Sequence, residues 1–318
     1  IGTFFKVIPL FLFIIITIIF FKGHMFTTDF WGNVANNFSK GTVTGSVFDQ
    51  LKGTLSTLIW VFIGVEGASV MGHRAKTRSQ AQQATIIGFI MLLAIYVMIS
   101  IIPYGTLTRA QLASASQPAL GNDLELIVGH WGAMIINVGL IISTVISWLS
   151  WTMLPAETTM LIAKDKVMPS LWGRLNEKNA PTASLYITAI LQTIFLFSLL
   201  FTSEAYNFAY SLASAAILFS YLFVGLYQMK YSHKHQEWGQ FTIGLLSALF
   251  MLACMFLSGW QQMLLVSISF IPGFIIYYQA VREDHRELGG QEKAVMGLIL
   301  LLSVVAIYLV ANGTIVVA

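Results

Sequence analysis

Nine stretches of roughly twenty residues, each nearly devoid of charge, run through this 318-residue chain. They lie at about 4–22, 53–72, 82–104, 132–163, 182–202, 206–230, 239–258, 261–281 and 294–316. A bilayer core takes about 20 apolar residues per α-helix, so the pattern specifies an all-α integral membrane protein. Composition agrees: 57% of residues are hydrophobic and 10% charged, where soluble domains carry about 25% charged. The net charge of +3 offers no clustered base for a nucleic-acid surface. One cysteine, Cys254, sits in an apolar run, so the chain holds no disulfide framework and no cysteine-based metal site.

The chain opens on Ile1 and enters an apolar run within three residues. That run is too long for a signal-peptide core and no cleavage motif follows. It reads as a piece of a longer protein starting at a membrane helix, with a processed mature terminus as the alternative. Basic residues then orient the spans. Arg74, Lys76, Arg78, Lys164, Lys166, Arg174, Lys178, Lys230, Lys234, Arg282, Arg286 and Lys293 fall in one alternating set of connections. The other set holds Lys22, Lys40, Lys52 and Arg109, with Lys6 near the start of the first span. The richer set faces the cytoplasm, so the first span runs outward and the C-terminus lies outside.

Trp31, Trp131, Trp172, Trp238 and Trp260 fall at span edges, as an interfacial belt requires. Trp60, Trp148 and Trp151 lie inside spans. The six histidines occupy loops or span ends, which argues against a buried histidine metal site. HExxH and GxSxG hydrolase signatures and a phosphate-binding GxxxxGK[ST] loop are absent from the sequence.

The second span carries Gly64 and Gly67 around Glu66 at mid-membrane depth. Each glycine weakens a helix by about 1 kcal/mol, and a carboxylate at the bilayer centre costs about 2.5–3.5 kcal/mol on the mild insertion scale. Discontinuous helices of secondary transporters have this character, since unwound backbone offers polar groups to a substrate. The plainer alternative is a tolerated kink with Glu66 paired to a neighbouring helix. In the fourth span, Pro155 interrupts the ladder, and Trp148 and Trp151 share a face. Glu157 reads either as a proton or cation site or as an interfacial charge pairing Lys164. Lys6, three residues before Pro9, reads from position as snorkelling to the inner headgroups.

Trp60-Val61-Phe62-Ile63-Gly64-Val65-Glu66-Gly67-Ala68-Ser69, followed by Arg74-Ala75-Lys76, resembles the sixth helix of the amino acid–polyamine–organocation transporters. Within them it is most similar to the basic amino acid/polyamine antiporters, whose pattern reads W-x-F-x-G-V-E-x-A-S. Ser150-Trp151-Thr152-Met153-Leu154 resembles their eighth helix. Asp165-Lys166-Val167-Met168-Pro169 through Asn176 and Asn179-Ala180-Pro181-Thr182 resembles their next cytoplasmic loop. The resemblance implies a LeuT/APC-type inverted-repeat fold, present here incompletely. Residues 1–318 would form one partial transporter domain. About 4–281 would be helices five to twelve, and 294–316 an extra C-terminal helix like that of arginine/ornithine and lysine antiporters. Helices one to four would be missing, so this chain alone should not transport.

The same resemblance implies roles. Backbone around Ile63 and Gly64 would bind the substrate's α-amino and α-carboxylate groups. Trp60 and Trp151 would receive a cationic side chain, a contact of about 0.5–2 kcal/mol. Glu66 would gate or sense protons. Lys6 matches a position where some members place a lysine in the sodium site of sodium-coupled relatives, making the cycle sodium-independent. The arginine/agmatine type lacks that lysine and has an amide at the place of Glu157, whose role stays open. On the tenth helix Ser211, Ala213 and Ser214 are small enough to border the site.

The function this implies is secondary transport of basic amino acids by exchange across a bacterial cytoplasmic membrane. Alternatives are a proton-coupled permease of the same superfamily, using Glu66, Glu157 and Lys6, and a non-transporting membrane receptor or subunit. An embedded enzyme is disfavoured, because no nucleophile–base or metal constellation appears. The expected partners are the basic amino acid, its exchange product and the lipid bilayer, with neither nucleic acid nor cofactor. The oligomeric state is left open between monomer and homodimer.

Overall fold

The computed structural model describes residues 2–27, 47–70, 72, 77–116, 118–198, 200 and 204–315. Trp31, Lys40, His73, Arg74, Ala75 and Lys76 lie outside them. Helices follow the predicted runs closely: α1 (Gly2–Ile19), α2 (Gly23–Thr27), α3 (Val47–Phe62), α4 (Gly67–Val70), α5 (Arg78–Ile101), α6 (Arg109–Ser114), α7 (Ala119–Val128) and α8 (His130–Lys164). They continue with α9 (Thr182–Ser198), α10 (Glu204–His235), α11 (Trp238–Ser258), α12 (Trp260–Glu283) and α13 (Gly290–Ala311). No strand occurs among the described residues.

Six segments are long and apolar enough to cross a bilayer: Ser79–Gly105, His130–Lys164, Ala209–His235, Trp238–Ser258, Trp260–Glu283 and Gly290–Ala311. Thr3–Ile19 and Thr182–Phe197 are shorter apolar helices. The remaining predicted span is the interrupted pair α3–α4. Large apolar side chains point outward along these helices, Phe256 being 84% exposed, as expected where lipid rather than water surrounds the fold.

The chain divides into two compact units, residues 1–44 with 65–154, and residues 45–64 with 155–318. In the first, Phe13 and Ile16 of α1 pack with Leu124 of α7 and Ile136 of α8. Gly139 lets α8 meet α1 closely, since a Cβ there would lie 2.4 Å from Pro9 Cγ. The loop after α1 returns to the loop after α5, Lys22 N–H donating to the Gly105 carbonyl at 2.8 Å. Both loops belong to the set of connections that is poorer in basic residues.

In the second unit α10 packs lengthwise on α11 through Gly225 and Gly244. A Cβ on Gly225 would sit 3.0 Å from Ala248 N and 3.2 Å from the Gly244 carbonyl oxygen. Such small-residue crossings allow helix association in lipid, where no hydrophobic drive operates between helices. The segment after α8 is tied to the end of α12. Lys166 Nζ reaches Asp284 Oδ1 at 2.6 Å, and Ser170 N–H donates to Glu283 Oε2 at 2.7 Å. Both segments belong to the set of connections that is richer in basic residues.

Candidate functional site

α3 stops at Phe62, residues 63–66 form turns, and α4 restarts at Gly67. The local cause is Gly64, whose φ of 102° is a conformation that an L side chain rarely adopts. On one side Ile63 N–H closes a tightened turn onto the Trp60 carbonyl at 3.1 Å. On the other Val70 N–H bonds the Glu66 carbonyl at 3.0 Å, starting α4. Backbone between these bonds leaves the regular helical ladder, the condition under which N–H and C=O groups serve a ligand. The interruption expected from the two glycines is therefore present.

The second unit contains Trp60, Ile63, Gly64 and Glu157; the first contains Lys6, Glu66 and Trp151. Trp60 is 38% exposed. Its ring meets that of Tyr210 on α10 edge-to-face, with centroids 5.1 Å apart and planes at 64°. The Tyr210 hydroxyl donates to Thr57 Oγ1 at 2.8 Å. One turn further along the same face of α10, Ser214 is buried with no partner for Oγ among the described residues.

In the first unit α4 rests on α8: a Cβ on Gly67 would lie 3.2 Å from Leu154 Cδ2. Leu154 is three residues, under one turn, beyond Trp151. That places the Glu66–Gly67 step close to the tryptophan helix face. Trp151 and Trp148 are 45% and 58% exposed.

Lys6 is half-buried and lines a cavity of about 520 Å³ enclosed by α1, α5 and α8. Thr3, Tyr96, Ser143 and Ser150 bring polar groups to the same cavity, and Leu92, Ile95 and Leu140 form apolar wall.

Pro155 lies inside α8, which continues through it to Lys164. Proline removes the N–H that would bond the Trp151 carbonyl, while Thr159 Oγ1 donates to the Pro155 and Ala156 carbonyls at 2.9 and 3.1 Å. Glu157 is buried (1% exposed), whereas Lys164 is exposed.

Three features escaped the sequence reading. Tyr210 is one of 11 tyrosines, and nothing in its neighbourhood marks it. Thr57 had a signal, its three-residue spacing from Trp60. Asp123 of α7, 6% exposed with Oδ1 unpartnered, lies in the connection between α5 and α8 and in no apolar run.

The sequence pattern of the family described as amino acid permease matches residues 1–281, which spans α1 through most of α12. The chain belongs to this family. The chain is 47% identical over 318 residues to an arginine/ornithine antiporter of Latilactobacillus sakei, an alignment covering 98% of the chain and 66% of the relative. It is 38% identical to an arginine/ornithine antiporter of Lactococcus lactis, covering 95% and 60%. An arginine/agmatine antiporter of Chlamydia pneumoniae is 35% identical, covering 99% and 67%. The chain thus spans about two thirds or less of the length of the arginine/ornithine relatives. With its several apolar helices and relatives of this kind it is a multi-pass membrane protein.

Proposed function

We propose that the complete protein carrying this chain exchanges a basic amino acid for its metabolic product across a bacterial cytoplasmic membrane, in the manner of an arginine/ornithine antiporter. The observation that carries this reading is the interruption at Gly64, flanked by Trp60 and Glu66, in a chain 47% identical to an arginine/ornithine antiporter. Polar backbone around Ile63 and Gly64 takes the α-amino and α-carboxylate groups. The indoles of Trp60 and Trp151 take the cationic tail, since an ammonium or guanidinium over a desolvated indole gains about 2 kcal/mol. Glu66, one residue from the packed Gly67, gates the site. Lys6 places a fixed ammonium among the hydroxyls of its cavity. In this reading α1 to α12 supply helices five to twelve of an inverted-repeat fold, α13 is the extra helix, and the rest of the family fold completes the site. The transporter works within the lipid bilayer as a single domain, and a homodimer is its proposed assembly.

Exchange in proteoliposomes tests this. Uptake of labelled arginine should require arginine or ornithine inside, and Trp60→Ala and Glu66→Ala should each abolish most of it while the protein still inserts. A second reading, a proton-coupled permease, is favoured by Glu157, a carboxylate buried within α8. That reading demands uptake into empty vesicles driven by an inward pH gradient and lost in Glu157→Gln.

A further inference from the structure

A clip of three side chains joins α3 to α10 inside the second unit. Thr57 and Trp60 are three residues apart, hence on one face of α3, and Tyr210 engages both: its ring packs on the indole and its hydroxyl bonds Thr57. We propose that Tyr210 is a positioning residue that holds the Trp60 indole in the orientation that receives the cationic side chain of the substrate. The proposal rests on the exchange reading above and deepens it.

The physical need for such a residue is local. Trp60 stands two residues before α3 ends and remains 38% exposed, so its own helix does little to restrict its side-chain torsions. An edge-to-face partner restricts them, because the electropositive edge of one ring prefers the electronegative face of the other. Tyr210 would swing with the indole were it not itself anchored. The 2.8 Å bond to Thr57 Oγ1 supplies that anchor and draws it from the helix that carries Trp60. Indole and phenol therefore move as one body with the last two turns of α3. Cation–π attraction requires the cation over the ring face within about 6 Å of the centroid, so a few ångströms of ring displacement discards it. The clip fixes what a cation meets without touching the cation. A neutral ligand of the same shape gains nothing from that orientation.

Two probes separate positioning from packing: arginine, and citrulline, which replaces the guanidinium by a neutral ureido group. They are applied to the complete protein, by exchange in proteoliposomes and by calorimetric binding in detergent. Tyr210→Leu should raise KM and Kd for arginine about tenfold, the loss of one well-placed cation–π contact, with maximal exchange rate and citrulline inhibition within about twofold. Tyr210→Phe keeps the ring and loses the anchor, and Thr57→Val loses the anchor from the other side. Each should weaken arginine about threefold, and the double variant should be no worse than either single. Those two conservative variants decide the matter if Tyr210→Leu does not fold. Equal weakening of arginine and citrulline, or strictly additive effects in the double variant, would overturn the positioning role. Binding of arginine without exchange in the unaltered protein would overturn the exchange reading alone. No binding of arginine to it would overturn both.

Discussion

Gly64 is the residue on which the site turns. Its φ of 102° costs an L side chain about 1–2 kcal/mol. Gly64→Ala should therefore lower the unfolding temperature in detergent modestly. Substrate binding should fall far more, because relaxation toward helical φ withdraws the backbone groups around Ile63; unchanged arginine affinity would show that the break is not used. Trp151→Ala should weaken a cationic substrate more than citrulline, and equal losses would remove the cation–π role. Asp123 raises a different question, since burial pushes its carboxyl up to about 6. The folded state then keeps a proton that the unfolded chain, with its aspartate near 4, has released. Asp123 therefore contributes stability that is fully present below about pH 4 and is lost as pH rises through 6. Asp123→Asn should remove that decline and gain at most about 3 kcal/mol at pH 7, read as the pH dependence of the thermal midpoint. Trp60, Gly64, Glu66 and Trp151 were legible as candidates because glycines, indoles and a carboxylate are out of place in a simple anchor helix, and Ile63 through the family resemblance alone. Tyr210 was not, because a tyrosine in an apolar helix is ordinary until its neighbour is known.

At the scale of elements, the nine apolar runs map onto helices within a few residues, because a hydrophobic stretch of bilayer length has one stable conformation in lipid. The short helices α2, α6 and α7 had no such signal; they are polar loop segments shaped by local bonds. At α6, Thr108 Oγ1 accepts from Gln111 N–H while Gln111 Oε1 accepts from Thr108 N–H at 2.9 Å. Helix pairing was equally hidden, although its determinants are small residues. Gly225→Val should destabilise the protein by about 1–3 kcal/mol, since the added carbons meet backbone that cannot yield. Gly297→Ala, where a Cβ meets nothing within 4 Å, should be neutral or slightly stabilising. Thermal unfolding of both variants in detergent checks this, and a similar loss in the two would refute the crossing. Pro155 shows the limit of local reasoning from the other side. It removes a helix bond, yet α8 runs on to Lys164.

For the whole molecule, charge alternation sorts the loops into two sets without reference to contacts, and two of the contacts join loops of the same set. Lys22 meets Gly105 in one set, and Lys166 meets Asp284 in the other. Two of the places where the chain passes between its compact units, Gly64–Val65 and Leu154–Pro155, coincide with interruptions that the sequence had marked. Lys6→Ala should disturb the exchange cycle while leaving insertion intact; normal exchange would return Lys6 to a headgroup anchor and leave its cavity without a role.

Hydrophobic length, charge asymmetry and misplaced glycines are properties of short segments. They were enough to establish a multi-pass helical membrane protein, its broken helix and its resemblance to amino acid antiporters. The Tyr210–Thr57 anchor, the Lys6 cavity and the burial of Glu157 and Asp123 came only with tertiary structure. Each depends on which helix faces of distant sequence meet, and in lipid that choice rests on small-residue packing and a few hydrogen bonds rather than on a hydrophobic pattern that sequence displays.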